Sequence, residues 1–450
     1  MSGAGRIART ALFTAMLAAF GAPQLAVAQS ERELALEARV AELERLVNSL
    51  LADQQQQEGR IAEVETVQAQ QPSPPPPGKA PIQNLTLTPA ALPGTTVKLG
   101  GFIKADFMLT RTGDGQLADG AVGRALYLPG QTPVGGAPSG TDYDAHAKFS
   151  RFNIGVDSVT EAGNKLGAFF EVDFFGNSLG NQTATNTYGT TVRHAYMYWN
   201  GWLAGQTWSN LMDTSALPET VDFIGPTDGL LFVRQTQLRY TNGAFSVALE
   251  NPETTYVPFG GGATTASDRG ALPDLTMRYG WKGDWGTFGV GAILRQLRLD
   301  RTGVDDSQLG GGLTLGGKWV MGANDDLRYQ FTVGEGISRY IGLGVHADAM
   351  LDADGDLEAM GAVAGYIGWR HAFSPKLRSN LVYARSDYDN DAVLTGLGVT
   401  KSVQSLRANL FYSPLPKIDV GAELMYGKRE LESGADGDIS RLQFTTKYSF

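Results

Sequence analysis

From residue 97 to the C-terminus, apolar and polar residues alternate along short segments of the chain. The last segment, 441–450, sets Leu442, Phe444 and Tyr448 against Arg441 and Gln443. Because successive side chains of a strand point to opposite faces, this pattern predicts a strand with one apolar and one polar face. The pattern recurs in sixteen segments, near 97–109, 148–158, 165–175, 191–199, 202–208, 230–240, 244–251, 274–281, 286–299, 309–319, 326–336, 357–370, 377–386, 401–412, 417–430 and 439–450.

The connections between these segments alternate between long and short. The short ones carry residues typical of hairpin turns, such as Asn200-Gly201 and Asn242-Gly243. A soluble sandwich has no reason to place every long connection at one end, whereas an outer-membrane barrel has tight turns on one side and long loops on the other. The sequence therefore predicts an all-β fold, a 16-stranded antiparallel transmembrane β-barrel over residues 97–450. Its predicted long connections are 110–147, 176–190, 209–229, 252–273, 300–308, 337–356, 387–400 and 431–438.

Aromatic residues stand near the ends of the predicted strands, on their apolar faces. Tyr279, Trp281 and Trp369 are examples, and the chain itself ends on Tyr448 and Phe450. Aromatic girdles at the two membrane interfaces predict this placement. An aromatic-ended final strand resembles the signal read by the barrel-assembly machinery, so we expect Tyr448 and Phe450 to act as an assembly signal.

Residues 1–28 read as a secretory signal peptide. Arg6 and Arg9 precede a short apolar core at 11–20, and Ala26-Val27-Ala28 fits the small-x-small cleavage rule. No later apolar run reaches the 18 residues expected of a membrane-spanning helix. A membrane protein of this sequence must therefore span with strands, which places the mature chain in the cell outer membrane.

Residues 30–70 carry a heptad pattern. Leu36, Leu43 and Leu50 share one seam position with Val64, and Val40 lies on the other. The pattern predicts a short α-helical coiled coil, which the topology places in the periplasm; a single amphipathic helix docked on the protein is the alternative. Residues 71–96, with four consecutive prolines at 74–77, are predicted to be an extended linker.

Composition excludes several classes of function. A formal net charge of −10 argues against a nucleic-acid binder, and the absence of cysteine removes disulfides and thiolate metal sites. The four histidines lack metal-ligand spacing, and there is no G-x-S-x-G motif. We therefore predict neither a cofactor nor an enzyme, with a barrel-embedded lipase or protease as a minor alternative.

The polar face of the predicted strands carries more basic than acidic residues. Such a face would line a water-filled lumen, and rings of Arg and Lys select anions. The basic pore-lining candidates by alternation are Lys98, Lys104, Arg151, Lys165, Arg193, Arg239, Arg278, Arg328, Arg370, Arg378, Arg407, Arg429 and Arg441.

The connection 209–229 is the predicted constriction loop. A loop of this length either folds into a large barrel or lies over it as a mobile lid. Its Pro218 and Gly225-Pro226 suit a folded-in hairpin. Acidic side chains on this loop, facing a basic wall, would set up a transverse field. These constriction-loop acids are Asp213, Glu219, Asp222 and Asp228.

Five stretches carry a family resemblance: 97–106 (VKLGGFIKAD), 150–154 (SRFNI), 193–196 (RHAY), 205–209 (GQTWS) and 232–235 (FVRQ). Together with the predicted coiled coil and Pro-rich linker, they resemble the DcaP-type outer-membrane porins of Gram-negative bacteria. The resemblance implies a homotrimer of sixteen-stranded barrels that carries small anions, particularly dicarboxylates, by facilitated diffusion. Within the matching stretches, Arg151, Arg193 and Arg234 are the strongest pore-lining candidates.

Two functions from different classes remain open on the sequence. One is an anion-selective porin whose partners are outer-membrane lipid, lipopolysaccharide and small anionic solutes. The other is a structural barrel that tethers the envelope through its periplasmic coiled coil. Channel conductance distinguishes the two.

Overall fold

The computed structural model describes residues 94–176, 188–301 and 304–450. The predicted signal peptide (1–28), the predicted coiled coil (30–70) and nearly all of the predicted linker (71–96) lie outside the described residues. Within these described ranges, no helix is long and apolar enough to cross a membrane.

The described residues form a closed barrel of sixteen antiparallel strands, as the alternating pattern predicts. Five further short strands and two single-turn helices lie in its connections. In chain order the strands are β1 Thr96–Thr112, β2 Asp142–His146, β3 Arg151–Val159, β4 Lys165–Gly176, β5 Gly189–Trp199, β6 Trp202–Trp208, β7 Arg234–Asn242, β8 Phe245–Glu250, β9 Thr254–Val257, β10 Thr265–Ser267, β11 Asp274–Gly283, β12 Gly286–Arg301, β13 Val304–Met321, β14 Asp325–Glu335, β15 Ala349–Leu351, β16 Leu357–Ala359, β17 Gly361–Ser374, β18 Leu377–Asp389, β19 Thr400–Tyr412, β20 Ile418–Leu431 and β21 Asp436–Ser449; the helices are α1 Val122–Ala125 and α2 Ala392–Thr395.

The barrel closes between its first and last strands. β21 runs antiparallel to β1, with Ser449 opposite Phe102 and Ile439 opposite Thr112. The other edge of β1 is shared, because β3 pairs with its first half and β2 with its second half. The two shorter strands therefore act together as the neighbour of β1 on that edge, which closes the sheet into a barrel.

The two faces of the wall differ as the alternation predicts. On β21, Phe444 and Tyr448 are 46% and 52% exposed on the outside, while Gln443 and Thr445 are 2% and 4% exposed on the inside. The outer surface is thus an apolar band that suits lipid. The inner polar face is covered by chain segments that enter the barrel.

Two of the predicted long connections are wrong. Residues 300–301 and 304–308 belong to the paired strands β12 and β13, and 431–438 shrinks to a short turn between β20 and β21. The charged run around Asp300 and Asp305 interrupts the apolar alternation, so the sequence pattern does not show that the strands continue there. The connections 252–273 and 337–356 also contain structure, since β10, β9, β15 and β16 form a separate small sheet in that order.

Three connections contribute an apolar core inside the barrel. We name them the first loop (113–141), the inward loop (209–233) and the third loop (336–348). Leu126 of the first loop packs in one cluster with Ile224 and Phe232 of the inward loop. In a second cluster, Leu231 packs with Ile341 of the third loop. Burial of each such large side chain contributes about 1.5–3 kcal/mol, which holds the three loops together.

Candidate functional site

The inward loop leaves the wall at the end of β6, and Glu250 of β8 fixes its direction. The Glu250 carboxylate accepts hydrogen bonds from Ser209 Oγ at 3.0 Å and from the Asn210 backbone N–H at 2.8 Å. Thr276 Oγ1 of β11 donates to the same carboxylate at 2.7 Å. Since a buried carboxylate is stable only when it is hydrogen-bonded, these contacts turn the chain into the barrel at one defined place.

The inward loop then reaches strands far around the wall. The Val221 N–H donates to Glu423 of β20 at 3.0 Å, and Lys104 Nζ of β1 donates to the Val221 carbonyl at 3.1 Å. Tyr366 of β17 donates to the Ala216 carbonyl at 3.0 Å. The loop therefore crosses the interior of the barrel, in the arrangement expected of a constriction loop.

The four acids of the inward loop anchor it. Asp213 forms an ion pair with Arg278 at 2.6 Å. Glu219 accepts from Arg378 Nε at 2.6 Å. Asp222 accepts from the backbone N–H groups of Tyr127, Ile224 and Gly225 at 2.9–3.1 Å. These carboxylates hold the fold of the loop, so their charge is largely balanced where they lie.

Asp228 connects the inward loop to two other elements. Its side chain is fully buried and accepts hydrogen bonds from the Tyr127 hydroxyl at 2.8 Å and from the Ser405 hydroxyl of β19. Burial raises the pKa of the Asp228 carboxyl to about 6, against the opposing effect of Arg407 and these hydrogen bonds. The charge of Asp228 therefore changes near pH 6.

Sequence reasoning missed the contribution of the first loop. Tyr127 is completely buried, and the Arg407 guanidinium lies 5.0 Å from the centre of its ring. Arg441 of β21 donates to the Gly123 carbonyl. The apolar run Ala125-Leu126-Tyr127-Leu128, inside a connection that is otherwise polar, is the signal that could have revealed a buried segment.

Most of the predicted pore-lining cations have a carboxylate partner. The pairs at defined distances are Lys98–Asp157 at 2.8 Å, Arg151–Glu171 at 3.8 Å, Arg193–Asp173 at 2.8 Å, Arg278–Asp213 at 2.6 Å, Arg328–Asp326 at 2.7 Å, Arg370–Asp326 at 3.5 Å and Arg407–Glu423 at 3.4 Å. Lys104 pairs with Asp106. Arg234 and Arg239 have no carboxylate partner among the described residues. Arg239 instead donates to Gln237 Oε1 at 2.8 Å and to the Trp208 carbonyl.

Arg193 owes its position to an irregularity in the sheet. The pairing of β4 with β5 shifts register between Glu171, opposite His194, and Val172, opposite Val192. Arg193 is the extra residue of this β-bulge, and it is only 1% exposed. A bulge re-aims a side chain, which explains why Arg193 and His194 are both buried although they are adjacent.

The three arginines in the stretches that carry the resemblance lie close together on aromatic rings. The guanidinium carbons of Arg151 and Arg193 are each 5.3 Å from the Phe223 ring centre. Arg234 lies 4.5 Å from the ring centre of Trp208. Buried donor atoms of Arg151 (Nε) and Arg234 (Nη1) have no hydrogen-bond partner in the part of the chain that the structure describes. The sequence located these arginines but not the aromatic rings beneath them.

The predicted assembly residues lie on the outer surface. Tyr448 and Phe450 are 52% and 42% exposed, and the Phe450 ring is 5.6 Å from the ring of Phe152. The Phe450 backbone N–H donates to the Gly101 carbonyl at 3.1 Å. Both residues thus belong to the seam where the barrel closes.

The fold and the inward loop define the class of protein: a porin-type barrel of the outer membrane. The DcaP outer membrane protein family matches residues 92–450. The chain therefore belongs to the DcaP outer membrane protein family, as its sequence resemblance indicates. No curated protein matches it. Within the described residues, no group of three or more His, Asp or Glu side chains is placed to hold a metal ion.

A solved structure supports the fold. The outer membrane channel DcaP of Acinetobacter baumannii has a TM-score of 0.65 at 24% identity, over 79% of this chain and 98% of that one. At this identity the likeness extends to the fold of the barrel. The chain is also similar to an anion-selective porin from Comamonas acidovorans, with a TM-score of 0.48 at 12% identity, over 79% of this chain and 100% of that one.

Proposed function

We propose that the protein is a passive channel for small organic anions, with dicarboxylates as the main solutes. The observation that carries the proposal is the unbalanced positive charge of Arg234 and Arg239, which face the interior without a carboxylate partner among the described residues. Membership of the DcaP family and the likeness to a protein described as an outer membrane channel agree with it.

The arrangement of charge favours anions in two ways. Fixed guanidinium groups raise the local concentration of anions in a narrow, poorly screened passage. Arg234 forms no ion pair with any described residue, so its charge attracts anions in the passage through its electric field. Because Arg193 and Arg278 are neutralised by ion pairs at 2.8 and 2.6 Å, they position the wall and loop rather than attract solute.

The proposal extends to the surroundings of the barrel. It places the N-terminal coiled coil in the periplasm, the barrels in a homotrimer and the apolar band against lipid and lipopolysaccharide. Outward aromatic side chains such as Trp281 and Trp369, each 45% exposed, support the lipid contact. A cross-linked trimer in native outer membranes is the expected observation, and a monomer there would contradict this part.

Liposome swelling tests the transport proposal. Vesicles that contain the protein are expected to swell faster in succinate than in 1,4-diaminobutane, a dication of similar length. The substitution Arg239→Gln should reduce this difference. Vesicles that swell no faster than protein-free vesicles would contradict the channel and favour the envelope-tethering barrel. Faster swelling in the diamine would contradict anion preference.

A further inference from the structure

A cavity of about 330 Å³ lies where four connections of the barrel meet. All four are at the same end of the barrel as the long connections. The cavity is open to solvent and large enough for a small organic molecule. It is lined by 128–131, 262–264, 342–346 and 398–400, together with Val257 and Arg429.

The cavity is lined by no carboxylate, although the protein is acidic overall. Its one cationic side chain is Arg429, near the end of β20, which forms no ion pair with any described residue. Aspartates crowd the same end of the barrel elsewhere, for example 352–356 and 387–391. A carboxylate-free recess with a fixed cation is therefore a local positive site on an acidic face.

Hydrogen bonds hold one edge of the Arg429 guanidinium in place. Its Nε donates to Thr400 Oγ1 at 3.0 Å, and its Nη1 donates to the carbonyls of Gly130 and Thr132 at 2.8 and 3.3 Å. Its Nη2 makes no hydrogen bond to any described residue. A guanidinium fixed on one edge and free on the other is pre-organised to bind an anion, because little side-chain entropy remains to be lost.

The remaining walls leave room beside the guanidinium. A side chain added at Gly398 would meet no atom within 4 Å, and the same holds at Gly344. His346 adds no charge, since burial lowers its pKa to about 4 and its Nδ1 accepts from the Ala347 N–H at 2.8 Å. Arg429 alone therefore supplies the charge of the recess.

We propose that this recess is a docking site for one carboxylate group of a small organic anion, which binds Arg429 before it passes to Arg234 and Arg239 inside the barrel. The inference rests on the proposed channel function. The docking site raises the rate at which the solute is captured from the side of the membrane that carries the long connections, because a fixed charge at the rim acts mainly on association rates.

Single-channel recording with succinate as the probe tests the site. In the wild type, succinate should interrupt the current. Its association rate should be faster when it is added on the side of the long connections than on the opposite side. Arg429→Gln should lower the faster rate by about tenfold and leave the slower rate unchanged. Lys401→Gln is the control, because Lys401 is next to Thr400 in the chain but does not line the cavity, and its charge is paired with Glu430 at 3.6 Å; both rates should be unchanged.

A second variant separates binding from folding. Gly398→Leu keeps Arg429 but fills open space at the recess, so it should lower the same association rate. The barrel should still run as a folded species when the sample is not heated before electrophoresis. Equal rates in Arg429→Gln and wild type would overturn the docking site and leave the channel proposal standing. No interruption of the wild-type current by succinate from either side would instead contradict dicarboxylates as solutes of the channel.

Discussion

Arg193 and Arg234 lie in the same part of the barrel, but their surroundings differ. Arg193 is buried between Glu171 and Asp173, with both N–O distances at 2.8 Å. Arg234 rests on Trp208 and Phe232 and forms no ion pair with any described residue. The charge of the first arginine is therefore balanced within the wall, whereas the charge of the second is left to act on a passing anion.

Substitution of the two arginines should separate stability from selectivity. Arg193→Gln leaves the buried Asp173 carboxylate without its cation and Glu171 with only the longer contact to Arg151, so we expect a loss of about 3–5 kcal/mol in the free energy of unfolding. Arg234→Gln should keep the unfolding temperature and lower the anion-to-cation permeability ratio roughly twofold. Unfolding in detergent and zero-current potentials measure the two effects. The reverse assignment of effects would contradict this division of roles.

Asp228 should make docking of the inward loop depend on pH. Its pKa is raised to about 6 in the folded chain, against about 4 for an unfolded aspartate. Between these values the folded state binds the extra proton, so stability falls as pH rises from about 4 to about 6 and is then constant.

The variant Asp228→Asn removes this titration and keeps a side chain of the same shape. The difference in unfolding temperature between Asp228→Asn and wild type should therefore grow from pH 4 to pH 6 and level off above it. The contributions of other groups that titrate in this range are the same in both proteins, so they cancel in the difference. A difference that is constant over the whole range would show that Asp228 does not titrate there.

At the scale of elements, the inward loop depends on its first anchor. Glu250→Ala removes the acceptor of Ser209 and Asn210, so we expect the loop to move and the open-channel current to show frequent subconductance steps. Glu253→Ala is the matched control, because the Glu253 carboxylate contacts no other described residue through a hydrogen bond or ion pair. Quiet current in Glu250→Ala would contradict the anchoring role.

The last strand should matter more for assembly than for conductance. Deletion of Phe450 removes a backbone hydrogen bond to Gly101 and a ring contact at the seam with Phe152. We expect a lower yield of folded barrel in the outer membrane and unchanged conductance of the molecules that assemble. Phe373→Ala, which removes another outward aromatic that is 58% exposed, is the control. Equal yields for the deletion, the control and the wild type would contradict the assembly role.

The sixteen strands could be predicted from the sequence, because a barrel wall has one face toward lipid and one polar face. Apolar and polar residues therefore alternate along each strand. The strand residues 304–308 were missed because charged and polar residues interrupt the alternation there. The burial of His194 directly beside Arg193 depends on a bulge, and a bulge has no signature in alternation. The recess at Arg429 joins segments far apart in the chain, so no local pattern contains it.

At the scale of the whole molecule, an acidic composition and a basic passage coexist because acidic and basic residues lie in different parts of the barrel. Aspartates concentrate at the long-connection end of the barrel, while arginines without carboxylate partners point inward. The net charge of −10 therefore does not describe what a solute meets inside. Selectivity should follow the local charge of the passage and not that of the whole chain.

The zero-current potential across a planar bilayer with a potassium chloride gradient measures this directly. If the unpaired inward arginines control the passage, the sign of the potential will correspond to preference for chloride, and Arg234→Gln combined with Arg239→Gln will move it toward zero. The preference should weaken at high salt, because mobile ions screen fixed charge. A potential of the sign for potassium preference in the wild type would contradict the account.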